Sequence, residues 1–104
     1  QVISNRSANE TIDFFDMGWN FQEFTGLAFP HFPHSDKKIA QPQTFCKMQQ
    51  IAKKLSSSIS FVRIDFYEVN CKTYFGEITF FPASGFGEFS PDKWNYTLGN
   101  WLQL

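Results

Sequence analysis

The chain has 104 residues and a formal net charge of −1, and 42% of its residues are hydrophobic. This length sets one compact domain, or part of one, as the upper limit, and the apolar content is sufficient for a hydrophobic core. The near-neutral charge gives no electrostatic reason to expect a nucleic acid or an anionic membrane as a partner. No apolar run approaches the roughly 20 residues that cross a bilayer, so we expect no transmembrane segment.

The cysteine content favours a reducing compartment. Cys46 and Cys71 do not form the spaced framework that is typical of small secreted domains. We therefore expect a cytoplasmic protein, although two cysteines can also pair with each other. The chain begins with Gln1 rather than methionine, and we expect it to be a piece of a longer protein to which its function belongs.

The first third of the chain predicts a hairpin followed by a loop. Residues 11–24 (TIDFFDMGWNFQEF) mix acids with aromatic residues, and Gly18 can supply the turn before a returning strand at 19–24. Residues 29–42 contain three prolines without a periodic pattern, which indicates a connecting loop. We interpret His31 and His34 as solvent-exposed loop residues, because no cluster of acids or cysteines accompanies them as metal ligands.

Two helices are predicted. Thr44 can cap an amphipathic helix over 44–56, whose last turn carries basic residues that suit the helix dipole. Its apolar positions recur at helical spacing: Phe45, Met48, Ile51, Ala52 and Leu55. A short C-terminal helix starts at Ser90 as the cap, with Pro91 in the first position. The residues that follow form an apolar edge: Trp94, Leu98, Trp101 and Leu102.

A second hairpin is predicted between these helices, from strands at 61–69 and 73–81. The whole pattern predicts an α+β fold with an antiparallel sheet, one amphipathic helix and a short C-terminal helix. Alternation along the first strand places Arg63 and Asp65 on one face. A two-residue turn leaves Asp65 and Glu77 on opposite faces, whereas a three-residue loop, with or without a bulge, brings them to the same face.

Charges on one face of this hairpin have two interpretations. Two adjacent carboxylates repel each other unless a cation lies between them, and Mg²⁺ commonly binds one or two carboxylates together with substrate phosphates. Arg63 can bind a phosphate or a carboxylate through paired N–H groups. From spacing alone, the simpler interpretation is an exposed strand face on which these charges pair with each other.

Residues 61–89 (FVRIDFYEVNCKTYFGEITFFPASGFGEF) resemble the C-terminal active-site hairpin of the ATP-grasp superfamily. The chain more closely resembles the TupA-like ATP-grasp family, which is tied to teichuronopeptide and surface-polysaccharide biosynthesis and is often labelled as glycosyltransferases. The segments ETIDFFDMGWNFQEF and PDKWNYTLGNWL also resemble that family, so the resemblance covers nearly the whole chain.

The resemblance implies roles for individual residues. Asp65 and Glu77 stand where the superfamily binds Mg²⁺, and Arg63 stands where it binds phosphate and the reaction intermediate. Thr79 stands where most ATP-grasp enzymes have a metal-binding Asn, and it is implied to contact the cofactor as a weaker ligand. Cys71 replaces a turn glycine, which costs about 1 kcal/mol if that position has a positive φ.

The resemblance also implies an activity. ATP-grasp enzymes hold Mg²⁺ and ATP between two α+β subdomains, phosphorylate a carboxylate and join it to an amine. The carboxylate substrate is expected to be a uronic acid or an amino acid used in cell-surface polymer assembly. Residues 1–104 would be a single partial domain, the C-terminal portion of such a ligase, with 61–81 as its active-site hairpin. We expect weak or absent ATP binding and little catalysis in the isolated chain.

Two other functions remain open from the sequence. The parent protein could be a glycosyltransferase of polysaccharide synthesis, because such enzymes also use a metal and carboxylates. Alternatively, the chain could be a non-catalytic binding module, although core packing explains its aromatic residues better. The residues of that surface would be Phe80, Phe81, Phe86, Phe89, Trp94 and Trp101. Apolar surface left uncovered by a missing half would also favour self-association.

Overall fold

A computed structural model describes residues 1–27 and 31–102 of the chain. Every strand pairing within them is antiparallel, and two α-helices accompany the strands, which confirms the predicted α+β class. The elements run in the order β1 (Val2–Ser4), β2 (Thr11–Phe15), β3 (Phe21–Gln22), β4 (Thr25–Gly26), α1 (Phe45–Leu55), β5 (Arg63–Val69), β6 (Lys72–Thr79), a 3-10 turn (Pro82–Gly85), β7 (Phe89–Ser90) and α2 (Lys93–Gly99).

The described strands divide into three small sheets. Strand β2 lies between β1 and β3, β4 pairs with β7, and β5 pairs with β6. The described residues also form two compact units. The N-terminal unit contains 1–27, 31–39 and 83–101. The hairpin unit contains 40–82 and Leu102. The single partial domain over 1–104 stays a prediction.

An aromatic cluster forms the core of the N-terminal unit. Ile12, Phe14 and Phe24 are its buried apolar residues, and Phe89 and Trp94 pack against them. The ring of Phe24 lies 4.6 Å from that of Phe14 and 4.5 Å from that of Trp94, between centroids. Burial of such large rings supplies most of the apolar stabilisation available to a unit of this size. The core therefore joins the first hairpin to the C-terminal segment.

The first predicted hairpin is confirmed between β2 and β3. Its returning strand is shorter than the predicted 19–24, because a side chain organises the turn. The Oδ1 atom of Asp16 accepts hydrogen bonds from the N–H groups of Gly18 at 2.8 Å and Asn20 at 2.9 Å. Trp19, rather than Gly18, takes the left-handed conformation, with φ of 63°. Hydrogen bonds from Asn20 and Gly18 lower the pKa of Asp16.

The predicted loop at 29–42 contains no helix or strand over its described positions, and its first two positions lie outside the described residues. His31 is exposed as predicted, but the prediction for His34 is wrong. His34 is half-buried, and its two ring nitrogens lie 3.0 Å and 3.3 Å from the carbonyl oxygens of Ile12 and Glu23. These contacts hold the loop against the first hairpin.

Helix α1 confirms the amphipathic helix predicted over 44–56. Four of its predicted apolar positions are half-buried, whereas Leu55 is exposed. The prediction of Thr44 as a side-chain cap is wrong, because Thr44 makes no side-chain cap hydrogen bond. Neither described helix is long and apolar enough to cross a membrane.

Glu68, which lies on strand β5 of the second hairpin, caps the start of α1. Its Oε2 atom accepts hydrogen bonds from the N–H and the hydroxyl of Thr44, at 2.7 and 2.6 Å. Its Oε1 atom accepts one from the N–H of Gln43 at 3.2 Å. The carboxylate thus satisfies donors at the start of the helix and places negative charge at the positive end of its dipole. The hydrogen bonds from Thr44 lower the pKa of Glu68 from its usual 4.5.

The C-terminal helix begins later than predicted. Ser90 lies in β7 rather than at a helix cap, and α2 begins at Lys93. The reason is tertiary, because β7 pairs with β4 and the Oδ1 atom of Asn95 accepts the N–H of Phe89 at 2.7 Å. Of the predicted apolar edge, the first two residues pack against the core, whereas Trp101 and Leu102 are exposed.

We predict that Glu68→Gln lowers the free energy of unfolding at neutral pH. The folded state favours the Glu68 carboxylate, so its stabilisation is fully present above the usual pKa of 4.5 and is lost as pH falls through the lowered value. The difference between wild type and variant should therefore shrink by about pH 3. Urea unfolding at several pH values measures it, with the exposed Glu88→Gln as the control. A difference that does not change with pH would contradict the prediction.

Candidate functional site

The second hairpin combines a two-residue turn with a bulge. Its turn residues Asn70 and Cys71 both take the left-handed conformation, with φ of 50° and 58°. Cys71 therefore has the positive φ at which a cysteine in place of glycine costs about 1 kcal/mol. Val69 pairs with Lys72 next to the turn, and the register then shifts between Ile64 and Phe66.

This bulge brings the predicted site residues to one face. Phe66 pairs with Phe75, whereas Ile64 pairs with Ile78, so two residues of β6 lie opposite Asp65. A two-residue turn with regular pairing would have left the two acids on opposite faces. We expected the two acids to share a face only if the turn were a three-residue loop. That expectation is wrong, because a bulge within the strands shifts the register instead.

Arg63 bridges the two acids. Its Nε atom donates to the Oδ1 atom of Asp65 at 2.9 Å, and its Nη2 atom donates to the Oε1 atom of Glu77 at 2.8 Å. The hydroxyl of Thr79 lies 3.4 Å from the same Glu77 oxygen. The structure thus brings all four predicted site residues together, while their roles stay predictions. The Glu77 side chain is 60% exposed, so the bridge contributes little to stability.

Gly76 permits the close packing at the bulge. A Cβ atom at this position would lie 2.8 Å from the Cε2 atom of Tyr67 and 3.0 Å from the carbonyl oxygen of Asp65. The second of these atoms belongs to the backbone that forms the bulge, so it cannot move without disturbing the register. The hairpin needs glycine here because the two strands leave no space for a side chain.

A family model described as TupA-like ATPgrasp matches residues 1–103, which include the bulged hairpin and both ends of the N-terminal unit. The chain belongs to the TupA-like ATP-grasp family. This confirms the resemblance seen in the sequence over nearly the whole chain. Comparisons with curated proteins and with solved structures found no significant match.

The donor set of this TupA-like hairpin suits a hard cation. Each acid uses one oxygen for Arg63, and neither Oδ2 of Asp65 nor Oε2 of Glu77 has a hydrogen bond to the described residues. Carboxylate oxygens beside a hydroxyl are ligands that Mg²⁺ accepts, with water or phosphate completing its coordination. No group of three or more His, Cys, Asp or Glu side chains positioned to hold a metal occurs within 1–27 and 31–102. The residues therefore fit Mg²⁺ only together with such additional ligands.

The two cysteines stand apart from this site. Cys46 and Cys71 are both free and exposed. The thiol of Cys71 donates to the Oε1 atom of Gln43 at 3.1 Å, next to the start of α1. This contact ties the turn of the TupA-like hairpin to the segment just before α1.

We predict that Gly76→Ala destabilises the chain by about 1–3 kcal/mol, because the added methyl group overpacks the bulge. Chemical denaturation measures this difference. Gly99→Ala is the matched control, since a Cβ atom at Gly99 meets no atom within 4 Å, and its effect should stay within about 0.5 kcal/mol or be stabilising. Equal stability of the two variants would show that the bulge tolerates a side chain.

Proposed function

We propose that the chain contributes part of the active site of a Mg²⁺–ATP-dependent carboxylate–amine ligase. The observation that carries this proposal is the bridge in which Arg63 holds Asp65 and Glu77 together while each acid keeps one oxygen free. Membership of the TupA-like ATP-grasp family supports it. When bound, Mg²⁺ and ATP supply the phosphoryl group that activates the substrate carboxylate.

The two acids would bind the metal through their free oxygens. Asp65 is the more enclosed of the pair, with 28% of its side chain exposed, and Glu77 is the more exposed, with 60%. This difference favours Asp65 as the fixed ligand and Glu77 as the ligand that adjusts when phosphate arrives. Thr79 would add its hydroxyl, since it already lies beside the Glu77 carboxylate.

Arg63 would bind the phosphoryl group and the activated carboxylate. A guanidinium has five N–H donors, and the bridge to the two acids uses two of them. The remaining donors can bind phosphate oxygens where negative charge develops during transfer. Arg63 also offsets one of the two negative charges in the free chain, so the face depends less on a metal to limit their repulsion.

The wider role follows from the family rather than from the geometry. We propose that the parent protein acts in the cytoplasm in surface-polysaccharide or teichuronopeptide biosynthesis, with a uronic acid or an amino acid as the carboxylate substrate. The isolated chain would bind ATP weakly and catalyse little. A glycosyltransferase would need a sugar nucleotide, so release of ADP without one would favour the ligase.

Exposed aromatic rings favour a second candidate, a module that binds a partner or associates with itself. Phe80, Phe81 and Phe86 are 54%, 77% and 87% exposed. Phe89 and Trp94, which the sequence also suggested for such a surface, pack against the core instead. The exposed rings available for association are Phe80 and Phe81 on the hairpin unit, and Phe86 and Trp101 on the N-terminal unit.

Line broadening by Mn²⁺ tests the ligase proposal, because this paramagnetic ion replaces Mg²⁺ and detects weak sites. In NMR spectra of the chain with ATP, we expect broadening of amide signals from 63–79. Asp65→Asn and Glu77→Gln should each weaken the effect by about tenfold or more, as loss of a charged ligand predicts. Glu88→Gln, an exposed acid of the N-terminal unit, should leave it unchanged. Equal broadening in all variants, or broadening confined to other residues, would exclude the hairpin as the metal site.

A further inference from the structure

His34 attaches the loop at 31–39 to the first hairpin through both of its ring nitrogens. The Nδ1 atom lies 3.0 Å from the carbonyl oxygen of Ile12, and the Nε2 atom lies 3.3 Å from the carbonyl oxygen of Glu23. A carbonyl oxygen can only accept a hydrogen bond, and a neutral imidazole has a single N–H. Both contacts are therefore hydrogen bonds only when both ring nitrogens carry a proton, which makes the side chain a cation.

A buried acid lies beside this ring. Asp13 is only 2% exposed, and its Oδ1 atom lies 3.4 Å from Nδ1 of His34 and accepts the N–H of Ser35 at 3.1 Å. Its Oδ2 atom is buried and has no hydrogen-bond partner among the described residues. A buried carboxylate with so few hydrogen bonds is costly unless an opposite charge lies close to it. Protonated His34 supplies that charge.

Few other charged groups face His34. Asp13 is the acid that β2 presents to it, and β3 presents the uncharged ring of Phe21, with centroids 4.9 Å apart. Glu23 faces the ring with its backbone carbonyl, and its side chain is exposed. The other titratable residues of the loop are exposed as well, where solvent screens their charges: His31, Asp36, Lys37 and Lys38. The protonation of His34 is therefore coupled mainly to Asp13 and to the two carbonyl oxygens.

The same loop forms one side of a cavity of about 470 Å³ in the N-terminal unit. Its far end is attached where the Nε1 atom of Trp19 donates to the carbonyl oxygen of Ile39 at 3.2 Å. Its near end is attached by His34 and by the N–H of Ser35, and both of these contact Asp13. Loss of one proton from His34 removes one of its hydrogen bonds and the counter-charge of Asp13, so it weakens the near end of the loop.

We propose that His34 is a pH-dependent switch that closes the loop at 31–39 over the first hairpin when it is protonated and releases the loop when it is neutral. The closed loop binds more protons than the released loop, so closing is favoured at low pH and weakens as pH rises. A histidine in water loses this proton near about pH 6.5. Above that pH, the closing equilibrium should weaken by up to about tenfold per pH unit. The inference does not rest on the proposed ligase activity, since it involves neither the metal nor the second hairpin.

The ¹⁵N chemical shifts of the two histidine rings test the switch on the full chain, because they distinguish the doubly protonated ring from either neutral form. At about pH 7.5, one unit above the ordinary histidine value, we expect His34 to be doubly protonated and the exposed His31 to be neutral. A neutral His34 at this pH would overturn the proposal.

Two N–H signals report the position of the loop in the same titration. The amide of Ser35 and the indole N–H of Trp19 bind the two ends of the closed loop contact. We expect both signals to move together with the loss of the His34 proton. Deprotonation of His34 that leaves both signals unchanged would show that the ring titrates without releasing the loop, and it would overturn the switch.

Variants assign the response to one ring. His34→Gln retains an N–H donor without the charge, so the Ser35 and Trp19 signals should no longer respond to pH between about 6 and 9. His31→Gln alters the other histidine of the chain and should respond as wild type does. Asp13→Asn removes the counter-charge, so His34 should lose its proton at a pH lower by about one unit or more. A response that persists in His34→Gln or disappears in His31→Gln would overturn the proposal, and the wild-type ring shifts decide it if His34→Gln does not fold.

Discussion

The β5–β6 hairpin places Arg63 between two carboxylates because one additional residue of β6 lies opposite Asp65. With regular pairing, Glu77 would project from the other face and the arginine would meet one acid only. Gly76 makes the shift possible, because the strands approach too closely there for a side chain. The candidate chemistry of this TupA-like chain therefore depends on a backbone irregularity, a feature often found next to functional sites.

Acid oxygens without a hydrogen bond to the described residues occur in both units, and they differ in their exposure to solvent. In the hairpin unit, Asp65 and Glu77 each keep one oxygen free of hydrogen bonds to the described residues, close to solvent where a metal can enter. In the N-terminal unit, the free oxygen of Asp13 is buried and has a higher cost. The first arrangement suits a hydrated cation with phosphate, whereas the Asp13 oxygen is closed to any ligand in this conformation. Solvent exposure thus decides which of these chemically similar acids can bind a ligand.

Side chains that contact distant backbone determine much of the remaining architecture. Glu68 binds the start of α1 from a strand, and His34 binds the first hairpin from a loop. Asn95 holds β7 extended, so that α2 begins only at Lys93. The contacts of Glu68 and Asn95 replace local signals, since neither Thr44 nor Ser90 served as the side-chain cap that its sequence position indicates. Local propensity specifies which segments form helices and strands, while these polar contacts determine where those elements begin and end.

The sequence by itself determined the α+β class, the amphipathic helix, both hairpins, the shared face of Arg63 and Asp65, and the family resemblance. These features follow from side-chain periodicity and short motifs, which depend on neighbouring residues only. The tertiary structure decided the bulge that brings in Glu77, the partner of Glu68 and the burial of His34 and Asp13. Those features depend on how segments distant in sequence meet, and a shift of one residue in strand pairing reverses every face, so no local pattern specifies them.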